Sequence, residues 1–85
     1  MPTKSVVVGS AVGLHARPAA IISEAAAELD HEVLIGISGD EAVDASSALL
    51  IMTLGAAKGD TVEVTSHDPA ALDTIVALVE KDLDA

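Results

Sequence analysis

No phenylalanine, tyrosine, tryptophan or cysteine occurs anywhere in this chain of 85 residues. That absence limits the fold more than any motif does. With no large ring and no disulfide, the core must be assembled from Val, Ile, Leu, Ala and two Met. Apolar residues make up 51% of the sequence, enough to build such a core, and the length allows one domain, residues 1–85. The same absences exclude functions. Without cysteine there is no zinc knuckle and no thiol chemistry. Without aromatics there is no stacking platform for single-stranded nucleic acid.

Charge narrows the field further. Fourteen Asp and Glu against four Lys and Arg give a net charge of -10. A phosphate backbone or an anionic membrane needs clustered cations, so nucleic acid and membrane partners are excluded. No apolar run approaches the ~18 residues of a membrane span, and no basic stretch leads into an apolar one at the start. The expectation is a soluble, cytoplasmic monomer without membrane insertion.

The acidic residues fall in two blocks, Glu24 to Asp44 and Asp60 to Asp84, leaving residues 1–23 and 45–59 free of them. The only arginine, Arg17, shares the first acid-free stretch with His15 and Lys4. A site that accepts an anion has to use these islands, because the remaining surface repels negative charge.

Periodicity gives the elements. Thr3 to Val8 alternates, with Val6 and Val8 on one face, as an edge or second-edge strand does. Gly9 to Gly13 is a loop. Ala16 to Asp30 reads as a helix burying Ile22, Ala25, Ala26 and Leu29, with Glu24 and Glu28 toward solvent. Glu32 to Ser38 alternates again, and Gly39-Asp40 turns into a short strand through Ala42 and Val43. Ser46 or Ser47 opens a short second helix that stops at Gly55. Lys58-Gly59-Asp60 turns into a strand over Thr61 to Ser66 with Val62 and Val64 inward. Asp68 then caps a third helix with Pro69 in its first turn, and Leu72, Ile75, Val76, Val79 and Leu83 form its core face. The order β-α-β-β-α-β-α predicts an α+β fold, an open-faced sandwich of a four-stranded antiparallel sheet with three helices packed on one face.

The start of the first helix carries the chemistry. Helix N-termini present unpaired N–H groups, normally satisfied by Ser, Thr, Asp or Asn. Here the cap position falls on His15, a poor capper, and Pro18 pins the first turn. Open donors are therefore expected at Ala16 and Arg17, in the positive field of the helix end, where anions bind. His15 itself offers an imidazole nitrogen as nucleophile. Arg17 adds a planar cation suited to phosphoryl oxygens. Nucleophile, donors and cation converge on a tetrahedral anion, and phosphoryl transfer asks for little beyond positioning and charge stabilisation. His15 is thus read as a covalent phosphoryl acceptor. His31 and His67 are read as ordinary loop residues.

The segment Gly-Leu-His-Ala-Arg-Pro-Ala at 13–19 resembles the active-site signature of the HPr family, the histidine-containing phosphocarriers of the bacterial phosphoenolpyruvate-dependent sugar phosphotransferase system. Val43 to Gly59, with Ser47, Met52-Thr53-Leu54-Gly55 and Lys58-Gly59, is similar to the family's second signature, so the resemblance spans the chain. It implies that His15 is phosphorylated on its δ nitrogen and that Arg17 steadies the phosphoryl group. Ser47 matches the regulatory serine of Gram-positive carriers, although Ser46 stands where regulated relatives carry a lysine. The implied protein is a carrier rather than an enzyme, needs no cofactor or metal, accepts its group from enzyme I and passes it to IIA domains of sugar permeases. A serine kinase and a transcriptional regulator are the further partners that a regulated Ser47 implies. The second helix is apolar nearly all round, which suits a docking face, and the resemblance places Ala48, Leu49 and Met52 outward beside Ala20. Glu24 and Glu28 replace lysines found in several relatives, so docking leans on Arg17, the helix dipole and apolar contact.

Other readings compete. Asp44-Ala45-Ser46-Ser47-Ala48-Leu49 resembles the Asp-Ser-Leu site of acyl carrier proteins, but those are all helical and this chain has strand alternation. A regulatory module of the same fold would not need His15. Carriers serving a nitrogen-related or dihydroxyacetone branch share the chemistry.

Overall fold

The computed structural model describes residues 2–83. Alternating apolar residues in the strands and threefold or fourfold apolar spacing in the helices meet on one side of a single sheet. The elements are β1 (Thr3–Val7), α1 (Ala16–Glu28), β2 (Val33–Ile37), β3 (Val43–Asp44), α2 (Ala48–Thr53), β4 (Thr61–Ser66) and α3 (Pro69–Glu80). The sheet runs β1-β4-β2-β3, with every pair antiparallel. β1 is therefore an edge strand, and β4 inserts between β1 and β2. This is the α+β sandwich expected from the alternation of periods.

Register explains which side is dry. Val6 sits opposite Val62, and Val62 and Val64 face Ile37 and Ile35 on β2. These positions, with Val33, form the inner face that the helices cover. The outer face carries Thr3, Ser5, Thr61, Glu63 and Thr65, and the Thr3 and Thr65 hydroxyls bond across it at 2.9 Å. From above, Ala19, Ile22 and Ala26 of α1, Ile51 of α2, and Ala71, Leu72, Ile75 and Val79 of α3 complete the core. Ile22, Ile35, Ile51 and Ile75 are fully buried and fill the volume that rings usually occupy. Truncating one of them to Ala should cost about 2–5 kcal/mol through lost transfer energy and an unfilled cavity.

Helix ends follow their local chemistry. Asp68 caps α3 through its carboxylate, which accepts the Ala71 N–H at 3.1 Å. Ser47, rather than Ser46, caps α2, its hydroxyl accepting the Leu50 N–H at 3.3 Å. Gly55 takes the left-handed conformation expected of the stop, with φ of 66°.

Several boundaries differ from expectation. The short strand lies at Val43–Asp44, one residue later than Ala42 and Val43, because Ile35 pairs with Val43 and Leu34 with Asp44. Asp44 then turns the chain by accepting both the N–H and the hydroxyl of Ser46, at 2.9 and 2.7 Å. α1 stops at Glu28, two residues short of Asp30. Leu29 is already extended, and its N–H reaches back to Ala26 at 3.2 Å. Leu83 packs on the core from outside α3, because Lys81 has left the helical conformation. No helix among the described residues is long and apolar enough to cross a membrane.

Candidate functional site

Gly13 prepares the site. Its φ of 74° lies in the left-handed region, and a Cβ built there would stand 2.4 Å from the Ala56 carbonyl oxygen. The chain can therefore press against the segment after α2, where the Leu14 N–H donates to the Ala56 carbonyl at 2.9 Å. Leu14 is buried beneath, and His15 is turned outward at the cap of α1.

His15 adopts the extended conformation of a cap residue but makes no side-chain capping bond. Its carbonyl accepts the Ala19 N–H at 2.8 Å, the first intrahelical bond. Pro18 has no N–H to offer. Among the described residues, neither the Ala16 nor the Arg17 amide finds an acceptor. His15, Ala16 and Arg17 are all exposed, so an imidazole, two free donors and a guanidinium share one open corner. Arg17 has no ion-pair partner among the described residues, which leaves its fork available to an anion.

The surroundings come from two distant parts of the sequence. A shallow cleft beside His15 is lined by Val12, Leu14, Met52, Gly55, Ala56 and Ala57. Every one of these belongs to an acid-free stretch, 1–23 or 45–59. Folding thus gathers both stretches beside the imidazole, and no carboxylate lines this cleft.

The expected docking residues divide. Leu49 is 69% exposed, whereas Ala20, Ala48 and Met52 are partly buried, since α1 and α2 pack on each other and Ile51 anchors α2 below. Met52 shares the cleft with His15. Two apolar residues that periodicity did not single out also face solvent, Val12 at 56% and Leu50 at 40%. A lone valine between Gly9 and Gly13 was the available signal for the first. Leu50 was hidden because α2 is apolar nearly all round. Ser47 stands at the start of α2, and its hydroxyl is engaged as the cap.

Other titratable groups lie elsewhere. His31 approaches Asp68 at 3.9 Å near the start of α3, and His67 is an exposed residue between β4 and α3. Asp44 has its carboxyl held below its ordinary value of 3.8, first by the Ser46 backbone N–H and then by the Ser46 hydroxyl, with slight burial opposing. Among the described residues there is no cluster of three or more His, Cys, Asp or Glu able to hold a metal ion.

Comparison with known proteins identifies the family. The family model described as the PTS HPr component phosphorylation site matches residues 2–81. The chain is 37% identical to the phosphocarrier protein HPr of Streptomyces coelicolor, over 99% of this chain and 94% of that protein. It is 32% identical to HPr of Pseudomonas putida, over 99% and 97%. It is also 33% identical to the phosphocarrier protein NPr of Shewanella violacea, over 95% and 91%. Among solved structures, HPr from Bacillus anthracis superposes with a TM-score of 0.83 at 31% identity, covering 92% of this chain and 95% of that one. With its four-stranded antiparallel sheet, three helices and matching sequence, the chain belongs to the HPr family of phosphotransferase-system phosphocarriers, which carry a group rather than turn over a substrate.

Proposed function

We propose that this chain relays phosphoryl groups through His15 in the sugar branch of the phosphotransferase system, acting over residues 1–85 as one carrier domain. The lone pair of the unprotonated δ nitrogen forms the N–P bond. The bond from phosphorus to enzyme I breaks, and its electron pair returns to the donor atom. The step then runs in reverse toward a IIA domain. The observation that carries this reading is the exposed imidazole at an uncapped helix start with free amides at Ala16 and Arg17. Those amides and the Arg17 fork stabilise charge spread over the three phosphoryl oxygens. Once attached, the phosphoryl group supplies the cap that the histidine side chain does not.

Docking falls to the apolar ground beside the imidazole, with Leu49 outermost and Ala20, Ala48 and Met52 around it. Ser47 is assigned the regulatory role. Phosphate is tolerated at a helix start, yet it would add a dianion close to Asp44 on a surface that acidic partners approach.

The nitrogen-related branch is the second reading, favoured by NPr relatives whose identities overlap those of the HPr relatives. Purified, phosphorylated chain should be offered in parallel to a IIA domain of a sugar permease and to one of the nitrogen branch. Faster discharge to the sugar domain supports the proposal, and faster discharge to the nitrogen domain replaces it.

A further inference from the structure

We infer that Ser10 is a positioning residue for phosphoryl transfer, holding the loop that presents His15 to the C-terminal end of the chain; this rests on His15 being the acceptor. Ser10 lies between β1 and α1, and its side chain is completely buried. A buried hydroxyl without partners is costly, so its partners show what the site holds together. It donates to the Lys81 carbonyl at 3.2 Å and accepts the Leu83 N–H at 3.2 Å.

Its neighbours repeat the attachment. The Gly9 N–H donates to the Val79 carbonyl at 3.1 Å, and a Cβ on Gly9 would lie 1.9 Å from the Glu80 oxygen. The Ala11 N–H donates to the Asp82 carboxylate at 3.3 Å. Forward along the chain, the Ser10 carbonyl accepts the Gly13 N–H at 2.9 Å, closing the turn before Leu14 and His15. Between β1 and α1 the backbone belongs to no helix or strand, so the placement of the imidazole depends on what ties this segment down. Val8 is bonded to Asp60 and Gly59, Leu14 to Ala56, and residues 9–11 to residues 79–83, with the buried Ser10 hydroxyl at the centre of the last group. A displacement of about 1 Å at a reacting group can cost on the order of 100-fold in rate.

A second completely buried serine provides the control. The Ser66 hydroxyl donates to the Glu32 carbonyl at 2.9 Å and accepts the Asp68 N–H at 3.3 Å, at the end of β4 remote from this loop. Removing either hydroxyl therefore leaves one backbone acceptor and one backbone donor without that partner, each in a part-buried setting.

Ser10→Ala and Ser66→Ala full-length chains should be compared for urea stability, for transfer from phosphorylated enzyme I, and for the amide resonances of Ala16 and Arg17. The expected result is similar destabilisation, with kcat about tenfold lower and KM little changed in Ser10→Ala alone. The Ala16 and Arg17 resonances should shift in that variant alone. Equal kinetics and unshifted resonances in both would overturn the inference. If Ser10→Ala does not fold, Asp82→Ala, an exposed change that frees the Ala11 N–H, must lower kcat in the same direction, and an unchanged kcat overturns the inference. Failure of the unaltered chain to be phosphorylated at residue 15 would refute the acceptor role itself, and this assignment with it.

Discussion

The Leu14 N–H donates to the Ala56 carbonyl at 2.9 Å, so the residue before the candidate nucleophile is held by the segment that follows α2. Gly13 makes this approach possible, because any Cβ would stand 2.4 Å from the same oxygen. Gly13→Ala should lower stability by at least about 1–3 kcal/mol through left-handed strain and this clash. Urea denaturation measures the loss, and hydrogen exchange at the Leu14 amide should quicken with it.

Arg17 is exposed and has no ion-pair partner among the described residues. Arg17→Ala should leave stability within about 0.5 kcal/mol, as surface changes do. Transfer from enzyme I should nonetheless slow by about tenfold or more, since a charge-assisted contact to the phosphoryl oxygens is lost. Single-turnover kinetics beside a thermal melt separate the two effects.

Ser47 caps α2 through the Leu50 N–H. Ser47→Ala should cost about 1 kcal/mol by removing that cap. Ser47→Asp retains a capping oxygen and adds charge, so the melt should stay near that of the parent. Its phosphorylation by enzyme I should fall severalfold, a test of whether charge here opposes docking.

Asp44 accepts two bonds from Ser46, which hold its folded-state pKa below the ordinary value of 3.8. A carboxylate with a depressed pKa contributes stability that is fully present above the unfolded value and is lost as pH falls through the folded one. The parent should therefore exceed Asp44→Asn in urea midpoint near about pH 6, and that advantage should shrink on acidification below the ordinary carboxylate range. The effect is small because the group is exposed.

Much of this fold and site was legible because local rules agreed. Pro18 and the lack of a capper located the start of α1, Asp68-Pro69 located α3, and strict alternation placed Val62 and Val64 inward. The end of α1 was not legible, since Leu29 keeps the apolar period yet leaves the helix. Ser23 was missed as a buried residue, its polarity masked by a bond from its hydroxyl to the Ala20 carbonyl at 3.0 Å. The attachments of the His15 loop were invisible for a different reason. The Leu14 N–H meets the Ala56 carbonyl and the Leu83 N–H meets the Ser10 hydroxyl across long separations in sequence, which no local pattern encodes.

The central claim is that residue 15 takes the phosphoryl group, and intact-mass spectrometry after incubation with enzyme I and phosphoenolpyruvate tests it most directly. The parent chain should gain one phosphoryl group, labile in acid and stable in base, and a folded His15→Ala chain should gain none. A His15→Ala chain that still acquires the group, at His31, His67 or any other position, would contradict the account.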